Sequence, residues 1–193
     1  MFNDLSSTAA LLATRRSAKP REMIAPGPDA AQLRQILEAG MRVPDHGKLN
    51  PWRFVIIPDD RRGALADLLV EAYRAEKPDA GRLELEAMVQ FAQQAPALVV
   101  VLSTPAENSK IPLWEQQLSA GAVCMNMLIA THALGFVGSW LTGWPAYNDA
   151  VREALGGGHH DRVAGFLFLG TPSRPVEERP RPTYEAVVST WKG

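Results

Sequence analysis

Residues 112–134, "PLWEQQLSAGAVCMNMLIATHAL", constrain the fold of this chain more than any other stretch. The pattern is that of a long helix, apolar nearly all round. Such a helix belongs in the centre of the protein or at a subunit interface, because no face of it is suited to water. It does not read as a membrane span, since Ser119, Asn126, Thr131 and His132 interrupt the apolar run. Gly135 is the natural residue to end it.

The rest of the chain has to be arranged around that helix. "ALVVVLS" (97–103) is almost uniformly apolar, which suits a strand buried on both faces. "WRFVII" (52–57), "FVGSWL" (136–141) and "VAGFLFLG" (163–170) have strand composition. Periodicity and caps predict a helix over 8–16 behind Ser7, with Leu11 and Leu12 on its apolar side, and another from Asp29 bearing Leu33, Ile36, Leu37 and Met41. Further helices are expected from Asp60, over 79–94 and over 149–155. Three prolines and a glycine make 19–28 irregular. Helices outnumber strands, so a helix-rich α/β domain around four or five strands fits better than an evenly alternating, doubly wound sheet. With 193 residues, one well-cored domain is expected. The proline-rich tail, 171–193, is too short for a core of its own and should lie along the molecule or along a partner.

A net charge of −1 argues against a general nucleic-acid binder. The single cysteine, Cys124, cannot form an internal disulfide, and no basic stretch followed by an apolar run opens the chain. A cytoplasmic protein with no membrane partner is the expectation.

Four segments could carry chemistry. "RRSAKPR" (15–21) offers guanidinium forks and a hydroxyl suited to phosphate, although a solvated basic turn after a helix would look the same. "VPDHGKLN" (43–50) places Asp45, His46, Lys48 and Asn50 in one short loop. Binding residues often sit on such loops, and a plain polar connector is the equal alternative. "GSWLTGW" (138–144) sets glycines beside tryptophans at a strand end, either for close approach of a flat ligand or as core. "ERPRP" (178–182) carries a second arginine pair, which by itself reads as exposed tail. The adjacent histidines of "GGGHHD" (156–161) lack the spacing of helical metal ligands, and no metal is expected. Cys124 and His132 read as interior residues of the long helix. G-x-G-x-x-G, P-loop and G-x-S-x-G patterns are absent.

In combination and in order, these segments resemble the FMN-dependent nitroreductase family. "RRSAK" is similar to that family's "RRSxR/K" opening, and "VPDHGKLNPWRFVII" to its "APSxxNxQPWxFxVV" segment. Asp45-His46, "WEQQLSAGA" (114–122) and "GFLFLGTP" (165–172) resemble its small YdjA-like branch. The resemblance implies a mixed α+β nitroreductase-like fold. A central, mainly antiparallel sheet of about four or five strands would be flanked by helices, in an intertwined homodimer. Residues 1–193 would form a single FMN-binding domain, with 171–193 extending over the partner subunit.

It also implies two FMN sites at the dimer interface. Arg15 and Ser17, with Arg16 alongside, would hold the phosphate and ribityl end. Lys19 would stand near the N1/O2 edge, where a cation stabilises the reduced flavin. From the other subunit, Pro44, Asp45, His46 and Lys48 would flank the ring or its side chain, with Arg42 just before. Trp140, Leu141 and Thr142, followed by Gly143, would face the flavin near N5. Arg181, or Arg179 as second candidate, would close on the phosphate. The implied activity is ping-pong: NAD(P)H reduces the flavin, leaves, and a nitroaromatic, quinone or related small acceptor takes the electrons. No catalytic side chain is obligatory for hydride transfer, so none is named. A non-catalytic FMN storage or redox-sensing dimer is the alternative from another class, and a specialised oxidoreductase of the same fold is the alternative among enzymes. The usual serine pair is replaced by Asp45-His46, and the usual Gln before Pro-Trp by Asn50.

Overall fold

The computed structural model describes residues 2–193. Among them, five strands pair antiparallel throughout: β1 (Met23–Ile24), β2 (Trp52–Ile57), β3 (Ala97–Ser103), β4 (Val137–Leu141) and β5 (Arg162–Pro172). β5 is the hub. It pairs with β3 (Ala97 opposite Leu169), with β4 (Val137 opposite Gly170) and, at its C-terminal end, with β1 (Met23 opposite Pro172). β2 completes the sheet on β3, with Trp52 opposite Ser103. Seven helices surround it among the described residues: α1 (Thr8–Thr14), α2 (Ala30–Gly40), α3 (Arg62–Glu76), α4 (Arg82–Gln93), α5 (Leu113–Ala133), α6 (Asp149–Ala154) and α7 (Tyr184–Val187).

The uniformly apolar β3 has two cores to fill. Leu98, Val100 and Leu102 pack with Phe166 and Phe168 of β5 against α3, while Val99 and Val101 join Leu167 and Leu169 against α2 and α5. Successive strand residues point to opposite faces, so both sets must be apolar where helices cover both sides. On the first face Phe91 of α4 meets Phe166 and Phe168 edge-on, with ring centroids 5.1 and 5.3 Å away. On the second, Ile36, Val123, Cys124 and Met127 are fully buried. Each fully buried aliphatic or aromatic side chain is worth about 1.5–3 kcal/mol, and these layers place the sheet firmly between its helices.

α5 is only half sunk. Its inner face holds Val123, Met127 and Leu128, whereas Trp114, Leu118 and Met125 form an exposed apolar stripe on the other side. Among the described residues no helix is long and apolar enough to cross a membrane. Gly135 closes α5 as expected: its N–H bonds the His132 carbonyl at 2.9 Å, and Phe136 N–H bonds that of Thr131 at 3.2 Å.

Several boundaries differ from the sequence reading. The first helix ends at Thr14 instead of residue 16, because Asn3 N–H and Asp4 N–H occupy the Thr14 carbonyl and hydroxyl, and Arg15 turns extended. Leu12 stays exposed, since only Leu11 faces inward from this short helix. The stretch 19–28 contains the two-residue β1, formed by pairing with the far end of the chain. A single 3₁₀ turn, Asp59–Arg61, precedes α3 where a helix from Asp60 was expected. α4 begins at Arg82, after Glu84 has reached back to the Gly81 N–H at 2.9 Å. Elsewhere the expected signals act as read: Ser7 caps α1, and Asp29 with Gln32 forms a capping box on α2.

Candidate functional site

Where α1 stops, the backbone of Arg15 turns extended (φ −59°, ψ 126°), and the basic segment leaves the helix as an open strand of donors. Arg15 Nη1 donates to Ser17 Oγ at 3.1 Å. The Arg16 side chain goes the other way, donating from Nε to the Glu177 carbonyl at 2.9 Å and lying 3.2 Å from the Glu178 carboxylate. The tail is held there by more than that contact. Ser173 donates from both N–H and hydroxyl to the Glu22 carbonyl, each at 2.8 Å, and Arg174 Nη2 pairs with the Glu22 carboxylate at 2.5 Å. Residues 173–178 thus fold back onto 16–22 of the same chain.

Between these two segments and β4 lies a cavity of about 390 Å³, lined by Arg15–Pro20, Glu22, Ser139, Leu141 and the tail up to Arg181. Six cationic side chains line it against three carboxylates. Two of the carboxylates are committed: Glu22 sits between Arg174 and Lys19 (3.6 Å), and Glu178 beside Arg16. The hydrogen bond from Arg174, foremost, holds the Glu22 carboxyl below its ordinary range. Among the described residues Arg15, Arg179 and Arg181 form no ion pair. Burial, and then the like charges of Arg16 and Arg181, lower the pKa of the half-buried Arg15 guanidinium. A partly desolvated cluster of forked donors beside a hydroxyl is chemistry for a group rich in anionic oxygens, such as a phosphate.

The loop 42–50 lies elsewhere, pinned to the first turns of α5. Asp45 turns its carboxylate inward, accepting the N–H groups of Leu49 (3.1 Å) and Asn50 (2.8 Å). That staple holds Gly47, Lys48 and Asn50 at positive φ, a left-handed conformation that Lys48 adopts only at a cost of about 1–3 kcal/mol. A side chain at Gly47 would collide with Ile111. His46 Nδ1 lies 2.7 Å from Glu115 Oε2, and Ser119 donates to the Pro44 carbonyl at 2.8 Å while accepting from Trp52 Nε1 at 3.2 Å. Asn126 Nδ2 bonds the Ala39 and Arg42 carbonyls. Two of the polar residues that interrupt the long apolar helix, Ser119 and Asn126, therefore hold this loop.

At the end of β4, Ser139 and Leu141 line the cavity, whereas Trp140 between them turns to the other face of the sheet, toward Gly121 of α5, and Thr142 and Gly143 are not among the lining residues. Trp140 Nε1 donates to the Ala164 carbonyl at 2.9 Å, an oxygen made available by a register shift in β5 opposite Val101 and Leu102.

The structure thus gathers Arg15, Arg16, Ser17, Lys19, Leu141, Arg179 and Arg181 around one cavity, and keeps Arg42, Pro44, Asp45, His46 and Lys48 together at α5, outside it. Glu22, Ser139 and Arg174 line the cavity without having been singled out in the sequence. Ser119 and Asn126 were visible there as polar breaks in an apolar pattern, with no sign of what they hold, and Glu115 was not singled out. Cys124 is a core residue whose thiol pKa is pushed up to about 12 by burial.

Comparison with known proteins identifies the family and the fold. The family model described as "Nitroreductase family" matches residues 12–171. The chain belongs to the nitroreductase family. It is 39% identical over 162 residues to the Escherichia coli K12 protein named "Putative NAD(P)H nitroreductase YdjA", covering 84% of this chain and 86% of that one. Among solved structures, a nitroreductase-like family protein from Bacillus cereus superposes with a TM-score of 0.81 at 20% identity, over 97% of each chain. A nitroreductase with bound FMN from Bacteroides fragilis does so with 0.71 at 19%, over 97% of this chain and all of that one. The antiparallel five-stranded sheet with helices on both faces is a nitroreductase-like fold.

Proposed function

We propose that this nitroreductase is an FMN-dependent oxidoreductase that takes electrons from NAD(P)H and passes them to a nitroaromatic, a quinone or a related small acceptor. The observation that carries the reading is the Arg15–Ser17 pair at the wall of a cationic cavity that Arg181 also lines. Those residues fit a phosphomonoester. The names of similar proteins, one an NAD(P)H nitroreductase and one with bound FMN, give the cofactor and the donor.

In this reading Arg15, Ser17 and Arg181 hold the phosphate, with Arg16 alongside, and Lys19 faces the flavin ring as a cation. The strand end Trp140–Gly143 lies along the ring. Bound FMN supplies the hydride chemistry in two half-reactions, and the protein's part is to fix the ring and exclude water beneath it. The site is completed across a homodimer. The exposed Trp114–Leu118–Met125 stripe of α5 is the surface that a second copy would cover. It adjoins Glu115, so the loop bearing Pro44, Asp45, His46 and Lys48 reaches the partner's flavin. The outer tail, with Trp191 89% exposed, extends over the partner subunit.

The test is flavin content after gel filtration. Arg15→Ala and Ser17→Ala should elute depleted of FMN while remaining folded. Parent-like flavin content in both variants would contradict the phosphate assignment.

A further inference from the structure

A buried histidine stands directly behind the cationic segment. His132, in the last turn of α5, has no exposed surface. Its Nδ1 lies 2.7 Å from the Leu128 carbonyl oxygen, and its Nε2 lies 3.1 Å from that of Arg16. Both partners can only accept. A neutral imidazole has one N–H, so in either tautomer the other nitrogen turns a lone pair toward an oxygen. Only the imidazolium satisfies both contacts.

Two influences oppose that cation. Burial is the larger, and the positive charge of Arg15 adds to it, so the His132 pKa lies below its ordinary value although the two carbonyls pull it upward. The remaining surroundings contribute little charge. α1, β3 and β4 carry no titratable side chain. Arg34 and Glu38 of α2 pair with each other in solvent at 2.7 Å. Arg162 of β5 donates to the His159 and Asp161 carbonyls. On α5 itself, Glu115 is at the far end and Cys124 is a neutral thiol two turns away. Arg15 is therefore the charge that changes in effect when an anion enters the cavity.

We propose that His132 takes up a proton when a phosphate group binds at Arg15 and Ser17, and that the resulting imidazolium clamps the Arg16 main chain to α5. The inference rests on the phosphate reading given above. An anion beside Arg15 cancels its repulsion of His132, and the proton then completes both hydrogen bonds. Linkage is reciprocal, so the proton strengthens phosphate binding by the factor by which phosphate strengthens proton binding. Affinity rises as pH falls through the His132 pKa of the bound protein, and levels off below that of the free protein. His132 is a positioning residue: it touches the backbone of the cradle and not the ligand.

The full-length chain, freed of flavin, is titrated calorimetrically with FMN across the histidine range, in two buffers of different ionisation enthalpy. Wild type and His132→Gln are compared, so ionisation of the phosphate itself and of the other histidines cancels. The wild type should take up more protons per FMN, by up to about one, and its log Kd should change more steeply by up to about tenfold per pH unit. Equal proton uptake by both proteins, with FMN bound, would overturn the proposal and leave the phosphate reading standing. Failure of the wild type to bind FMN would overturn both. Should His132→Gln not fold, the ring ¹⁵N shifts of wild-type His132 decide. Both nitrogens must move to protonated positions on FMN binding, and a ring that stays neutral overturns the inference.

Discussion

Trp140 and Gly165 are in such close contact that a Cβ on Gly165 would stand 2.1 Å from the indole Nε1. The glycine is what lets the indole lie across β5 and reach the Ala164 carbonyl. Gly165→Ala should push Trp140 off that carbonyl, destabilise the protein by about 1–3 kcal/mol as overpacking does, and lower FMN retention. Denaturant melts and flavin content measure both. A variant with parent-like stability and full flavin would mean the contact is incidental.

Ser119 serves two partners at once, accepting from Trp52 and donating to Pro44 in a setting where it is 6% exposed. Ser119→Ala leaves an indole N–H and a carbonyl without it. We expect a loss of about 1–3 kcal/mol in urea unfolding, together with faster amide exchange in 44–50. Unchanged exchange there would show that the loop is held by other contacts.

Glu84 offers a test in pH. Its carboxylate accepts from Lys77, the Gly81 N–H and Tyr73, and these lower its pKa to about 2. A depressed acid contributes stability that is present above its unfolded pKa and disappears as pH falls toward the folded value. Glu84→Gln should therefore melt below the parent at neutral pH, and the gap should close between the ordinary carboxylate range and about pH 2. A gap that stays constant through acid would rule out the ionic contribution.

Arg181 and Arg179 both line the cavity, but only Arg181 is charged close enough to depress Arg15. Arg181→Ala should weaken FMN binding about ten- to a hundredfold, the worth of a charge-assisted hydrogen bond or two, and Arg179→Ala much less. The reverse order, measured by fluorescence titration of flavin, would exchange their roles.

What the sequence disclosed follows the range of the forces involved. β2 and β3 are bounded where composition placed them, because β3, buried on both faces, needs an unbroken apolar run and Pro58 ends β2. The capping of α1 and α2 was legible for the same reason, since Ser7 and Asp29 act on N–H groups within three residues. The β1 pairing and the Arg174–Glu22 contact were not legible. They join residues about 150 positions apart, and neither end carries a local signal. Leu12 shows the limit of periodicity in a helix of two turns, where which apolar residue faces inward depends on what packs against it. Of the site, the donors of 15–19 could be seen from their types as suited to phosphate, although a solvated basic turn would have looked the same. That they share a cavity with Leu141 and Arg181 needed a resemblance to suggest it and a folded chain to bring them together.

The most direct measurement is the visible absorption spectrum of the purified protein, recorded anaerobically before and after NADH and then NADPH. The account predicts a flavin spectrum that bleaches with one or both donors and returns when a quinone is added. A flavin that stays oxidised would leave a binding protein without reductase activity. No flavin, even after reconstitution with FMN, would contradict the assignment of the Arg15–Ser17 cavity altogether.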